Sequence, residues 1–136
     1  MPIRVRNDLA ELERVGRMLG EFWAEHDLPE ELAGEINLVL EEMLANVILH
    51  GYQDQGDHEI VVKLESQGGE LTLAIEDDGV VFNPLEKPRP DLTVPLAERQ
   101  VGGLGIFLVR ELMDHLQYER LEDRNRLTMK KRVTAA

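Results

Sequence analysis

Glu42 and Asn46 lie four residues apart in a stretch of helical periodicity, so both project from one face of it. An Asn side chain offers a carbonyl oxygen that suits a hard cation such as Mg²⁺. A carboxylate one turn away can take a proton from an attacking hydroxyl. Further on, an apolar segment ends in Glu76-Asp77-Asp78-Gly79. A carboxylate at a strand end can accept a hydrogen bond from the exocyclic amino group of adenine, where guanine presents a carbonyl. The glycine beside it permits close backbone approach. A third group, Gly102-Gly103-Leu104-Gly105, opens an apolar helical segment. Unobstructed N–H groups at a helix start carry partial positive charge and favour phosphates. No Lys follows, as a Walker-type phosphate loop would need, and no strand leads directly in, as a dinucleotide fingerprint would need. Singly, these groups match a solvated helix edge, an acidic turn and a tight turn; their combination and order are far more specific.

Several elements must position them. Ile3 to Arg6 alternates and reads as a short edge strand. Asp8 and Glu11 form a capping-box pattern ahead of a helix running to about His26. Pro29 suits the first turn of a second helix, which Gly51 stops after His50. On a helical wheel, Asn46 falls at the edge of the arc formed by Leu32, Ile36, Leu40, Met43, Leu44 and Val47, with Glu42 slightly further out. His50 continues that polar line; it either approaches the phosphates or meets a last-turn carbonyl. Two strands, Ile60–Leu64 and Leu71–Ile75, flank a hairpin turn at Gln67-Gly68-Gly69-Glu70. Residues 83 to 101, rich in Pro and charge, form a long loop of the kind that serves as a lid. A third helix runs from Gly102 to about His115, and a closing hairpin comes next with its turn near Asp123-Arg124-Asn125.

This order predicts an α+β two-layer sandwich, with helices on one face of a mixed, mostly antiparallel sheet, in a single domain over residues 1–136. Periodicity assigns Leu9, Leu12, Val15, Leu19, Phe22, Ile36, Val47, Leu73, Ile75, Leu108 and Leu112 to the core, and Trp23 to the core or an interface. His26, His58 and His115 lack partners at metal-ligand spacing and read as surface or packing residues.

Composition narrows the function. The chain has 136 residues, 43% of them hydrophobic, and no cysteine, which excludes disulfides, thiolate metal sites and a Cys nucleophile. With no membrane-length apolar run and no signal peptide, a cytoplasmic protein is expected. A net charge of −12 repels nucleic acid and attracts basic proteins. Bound ATP would need local help from Mg²⁺, backbone N–H groups or a few cations.

The motifs together resemble the GHKL ATPase superfamily of gyrase, histidine-kinase catalytic domains and heat-shock chaperones, and within it the bacterial anti-sigma-factor serine kinases. Residues Glu42 to Tyr52 look like the N box, Asp77 to Pro84 like the first glycine box, and Gly102 to Asp114 like the second. The resemblance covers almost the whole chain. It implies a Bergerat-type ATP-binding fold, with the nucleotide between sheet and lid. It implies Glu42 as general base, Asn46 as Mg²⁺ ligand, Asp77 as the adenine-binding acid and Gly79 as the adjacent backbone contact. Gly103 and Gly105, with Leu104 between them, fall on the phosphate-cradling hinge of the lid, and Arg99 is the lid cation for a phosphate. Val81 stands where many relatives have a second glycine, which is expected to narrow the adenine pocket.

The resemblance also implies an activity. The expected protein is an anti-sigma factor that uses Mg-ATP to phosphorylate a Ser or Thr of an antagonist protein and that sequesters a sigma factor. A homodimer is compatible with it, the first strand and first helix supplying the interface. Two alternatives use the same pocket. One is an ATP-gated binding switch without phosphoryl transfer. The other is a histidine-kinase catalytic domain, disfavoured because no helical hairpin with a phosphoacceptor His precedes the N box.

Overall fold

The computed structural model describes residues 1–52, 56–81, 83, 85 and 103–133, residue 104 by its backbone alone. The elements are β1 (Pro2–Arg6), α1 (Glu11–Glu25), α2 (Glu30–His50), β2 (Glu59–Gln67), β3 (Glu70–Asp77), α3 (Gly103–Leu112), β4 (His115–Leu121) and β5 (Arg124–Arg132). The strands form one sheet in the order β1-β2-β3-β5-β4.

Each neighbouring pair is antiparallel, so the sheet is not mixed as expected. The connections explain this. α1 and α2 run out and back between β1 and β2, which reverses the strand direction. The single-helix crossover through α3 leaves β4 running the same way as β3, but β5 lies between them.

Alternation along the strands gives the sheet one apolar face. Ile3, Val5, Ile60, Val62, Leu64, Leu71, Leu73, Ile75, Leu127 and Met129 are buried there. α1 covers it with Val15, Leu19, Phe22 and Trp23, α2 with Ile36, Val39, Leu40, Met43 and Leu44, and α3 with Ile106 and Val109, with Met113 just beyond its end, all in one cluster. The opposite face is polar, and at its centre Glu76 meets Lys63 (2.9 Å) and Arg126 (2.8 Å). This is the expected α+β sandwich with helices on one side.

Local details differ from expectation in four places. Leu9 is 45% exposed and not core, because α1 begins only at Glu11. Leu12, Val47, Leu108 and Leu112 are half-buried at the margin, while Ile106 and Val109 of α3, and Met113 just after it, fill the core. The capping box does not close. Asp8 accepts from the Ala10 N–H (2.9 Å), and Glu11 reaches back to the Arg6 N–H (3.2 Å) while Arg14 donates to it (2.5 Å). The last turn is Glu122-Asp123, since Leu121 already pairs with Arg124, and Glu122 takes a left-handed φ of 55°. The β2–β3 turn forms as expected, with Gly68 and Gly69 at φ 59° and 79°, a geometry that the absence of Cβ makes accessible.

Candidate functional site

Five polar or charged residues are buried among the described residues, and three of them, Asn46, Asp77 and Asn125, line one cleft. Burying polar groups is costly, so their convergence on one wall calls for a ligand or a dense bonding network. The cleft is open at its mouth. Its apolar walls are Met43 and Val47 of α2, Ile75 of β3, Val80 and Leu127. Walls of this kind suit a flat heteroaromatic ring, with the polar groups fixing its orientation.

Asp77 ends β3 on the core side of the sheet, where the alternation would otherwise place an apolar residue. It is 5% exposed. Its Oδ1 accepts from the Gly79 N–H (2.9 Å) and from Asn125 Nδ2 (3.0 Å). Both bonds fall on one oxygen, so the other can accept from a ligand. Asn125 lies directly across from Asp77 in the β3–β5 register. Its amide also donates to the Val80 carbonyl (2.8 Å) and accepts from the Tyr118 hydroxyl (2.5 Å) and Arg120 (3.2 Å). Arg120 in turn donates to the Gly79 carbonyl (3.0 Å). The closing hairpin thus clamps both the acid and the turn after it.

The other side of that turn rests on the end of α2. The Val80 N–H donates to the Gly51 carbonyl (2.8 Å). A Cβ on Gly79 would run into that same carbonyl oxygen, so glycine here answers a need for space. Gly51 itself ends α2 at φ −80°, with its N–H on the Val47 carbonyl (2.8 Å). Next to it, Tyr52 stacks on His58 (centroids 4.1 Å apart), and His58 Nδ1 stands 3.4 Å from Asp78. Burial pushes the Tyr52 phenol well above its ordinary pKa, and the carboxylates of Asp77 and Asp78 add to the effect. Its hydroxyl is enclosed near Asp78 without a well-formed hydrogen bond.

Asn46 is 8% exposed and faces the cleft from α2, as the wheel predicts. Glu42, one turn earlier, lies outside the cleft lining. Its carboxylate is packed against Gly105 in the first turn of α3, so closely that a Cβ on Gly105 would overlap Oε2. His50 is exposed on the last turn of α2. Gly103 opens α3, and Leu104 comes next in the helix.

The structure therefore brings Asn46, Asp77 and Gly79 to one cleft, and Glu42 and Gly105 together beside it. Arg99, Gly102 and most of the expected lid lie outside the described residues. Val81 does not narrow the pocket: it is 68% exposed, and Val80 is the residue that lines it. Sequence reasoning does not single out Asn125, Tyr118 or Arg120. The only local signal is an Asn in a strand beside a turn, and its meaning depends on which strand it faces.

Comparison with known proteins agrees with this fold. Residues 5–131 match the family model of the histidine kinase-like ATPase domain. An anti-sigma F factor of Clostridium novyi is 30% identical over 120 residues, spanning 82% of this chain and 79% of the relative. The serine/threonine-protein kinase BtrW of Bordetella bronchiseptica is 29% identical over 113 residues, spanning 79% and 80%. Among solved structures, the RsbU and RsbW domains from Mycobacterium tuberculosis superpose over 100% of this chain with a TM-score of 0.66 at 14% identity. The histidine kinase domain of a blue-light activated kinase from Erythrobacter litoralis covers 92% with a TM-score of 0.55 at 20% identity. The chain spans only 33% and 60% of those two solved chains, and at such identity the likeness speaks for the fold. With a family model matched over nearly its full length, this chain belongs to the histidine kinase-like ATPase family, among relatives named as anti-sigma factors and serine/threonine kinases.

Proposed function

We propose that the protein is an ATP-dependent serine/threonine kinase of the anti-sigma type. The observation that carries this reading is the convergence of Asn46, Asp77 and Asn125 on one apolar-walled cleft, with the Glu42 carboxylate at its side. Adenine enters between Met43, Ile75, Val80 and Leu127, and its amino group donates to the open oxygen of Asp77. Asn46 would offer its carbonyl oxygen to Mg²⁺. When bound, Mg²⁺ would supply charge neutralisation along the phosphates. The first N–H groups of α3, from Gly103 to Gly105, face the phosphates, and Arg99 adds a cation.

Glu42 accepts the proton of the attacking Ser or Thr hydroxyl as its oxygen bonds to the γ-phosphorus and the bond to the β-phosphate oxygen breaks. Positioning and electrostatics supply most of the acceleration. The acceptor is a Ser or Thr of an antagonist protein, and the second partner is a sigma factor. The chain works in the cytoplasm; no described helix is long and apolar enough to cross a membrane. The names of the anti-sigma F and BtrW relatives support both halves of the reading.

Incubation with γ-labelled ATP, Mg²⁺ and a candidate antagonist tests it. Acid-stable label on the antagonist, lost with Glu42→Ala, is the expected result. Acid-labile label would indicate a histidine acceptor. ATP binding without any transfer would leave an ATP-gated binding switch.

A further inference from the structure

Gly105 has a second role that its place in the glycine-rich helix start does not suggest. An ideal Cβ built on it overlaps Glu42 Oε2 and comes within 3.1 Å of Glu42 Cδ and 3.5 Å of Glu42 Cβ. The three nearest atoms outside its own helix all belong to this one side chain. Gly79 and Gly51 differ: there the obstructing atom is a backbone oxygen, of Gly51 and Val47 respectively. At Gly105 what stands in the way is the end of a flexible side chain. A methyl group would therefore move the carboxylate and leave the backbone where it is. Outward movement of α3 is opposed by Ile106 and Val109, which anchor the helix in the core, and by Met113 just beyond its end. Ala also forms helix better than Gly, so the fold has little to lose.

We propose that Gly105 is a positioning residue for Glu42. It leaves open the space in which the carboxylate rests, and so fixes where the base stands relative to the reacting hydroxyl. This rests on the assignment of Glu42 as base. It assigns to Gly105 an effect on transfer rate, whereas a glycine needed only for approach to phosphate would affect nucleotide affinity. A displacement of about 1 Å at a catalytic group is enough to cost on the order of 100-fold in rate.

The test compares wild type, Gly105→Ala, Glu42→Asp, the double variant and Glu42→Ala. Two quantities are read: Mg-ATP affinity by calorimetry, and single-turnover loss of the γ-phosphate from labelled Mg-ATP, to acceptor protein or to water. Gly105→Ala is expected to slow turnover at least tenfold while Kd changes less than threefold and the melting temperature stays within a few degrees. In the Glu42→Asp background the shorter side chain leaves room for the methyl, so adding Gly105→Ala changes the rate less than threefold. A tenfold weaker Kd, or an equal rate loss in both backgrounds, would overturn the proposal in favour of a Cα surface kept open for the phosphates. Should Gly105→Ala fail to fold, the same loss of fold in the double variant would overturn it too, since the overlap is then not with Glu42. Wild-type rates for Gly105→Ala with an inactive Glu42→Ala sink the Gly105 assignment alone. A Glu42→Ala variant at the wild-type rate, or wild type that turns over no Mg-ATP, sinks the base assignment beneath it.

Discussion

Asn125 Nδ2 donates to Asp77 Oδ1 across the β3–β5 ladder at 3.0 Å, joining two buried polar side chains that lie 48 residues apart in sequence. The bond fixes which carboxylate oxygen is engaged and which is left for a ligand. Tyr118 and Arg120 hold the Asn125 amide from β4, so the orientation of the acid depends on the closing hairpin.

Removing that clamp has a direct consequence. A hydrogen bond to a buried charged group contributes about 1.5–3 kcal/mol. Asn125→Ala is expected to weaken ATP binding about tenfold or more by calorimetry. Asn125→Asp should be worse, because it places a second carboxylate against Asp77. ATP affinity unchanged in both variants would mean that Asp77 holds its orientation without β5.

Gly79→Ala tests the turn after β3. A Cβ there meets the Gly51 carbonyl oxygen, a backbone atom whose shift would move the end of α2. Overpacking of this kind costs about 1–3 kcal/mol. A melting temperature lowered by several degrees is expected, together with loss of nucleotide binding. A variant as stable as wild type would show that the α2 end and the turn can separate.

Stability should also fall at acid pH, through Glu76 and Glu11. Burial raises the Glu76 pKa, but the bonds from Lys63 and Arg126 together outweigh it, and the net shift is downward. The hydrogen bond from Arg14 lowers that of Glu11 against an opposing effect of burial. A carboxyl with a depressed native pKa stabilises the fold fully above its unfolded value, here 4.5. As pH drops below that value the unfolded chain takes up the proton first, and the contribution is gone once pH passes the native pKa. Glu76→Gln is expected to flatten the acid limb of the melting-temperature profile below about pH 5. An unchanged profile would mean that the Lys63–Glu76–Arg126 group contributes nothing to acid sensitivity.

Much of this is legible from local pattern. Strand alternation predicts the one-sided sheet, and the wheel places Asn46 at the buried edge of α2, because both depend on periodicity within one element. Gly68-Gly69 declares its turn through backbone freedom alone. What escapes depends on pairing between distant segments. Asn125 gains its role only from lying opposite Asp77, and the all-antiparallel sheet arises only from β5 lying between β3 and β4. The capping box fails for a related reason: Arg14 and the Arg6 N–H engage Glu11, so its carboxylate does not serve the helix start as the pattern implies. Val81 departs from expectation because the chain turns at Gly79 onto Gly51, which directs Val80 to the cleft.

The most direct test of the central claim is calorimetric titration with ATP in the presence of Mg²⁺, for wild type and Asp77→Asn. Binding near one ATP per chain, weaker without Mg²⁺ and lost in the variant, is the expected result. No heat up to millimolar ATP, or equal affinity in the variant, would contradict a nucleotide site built on Asp77.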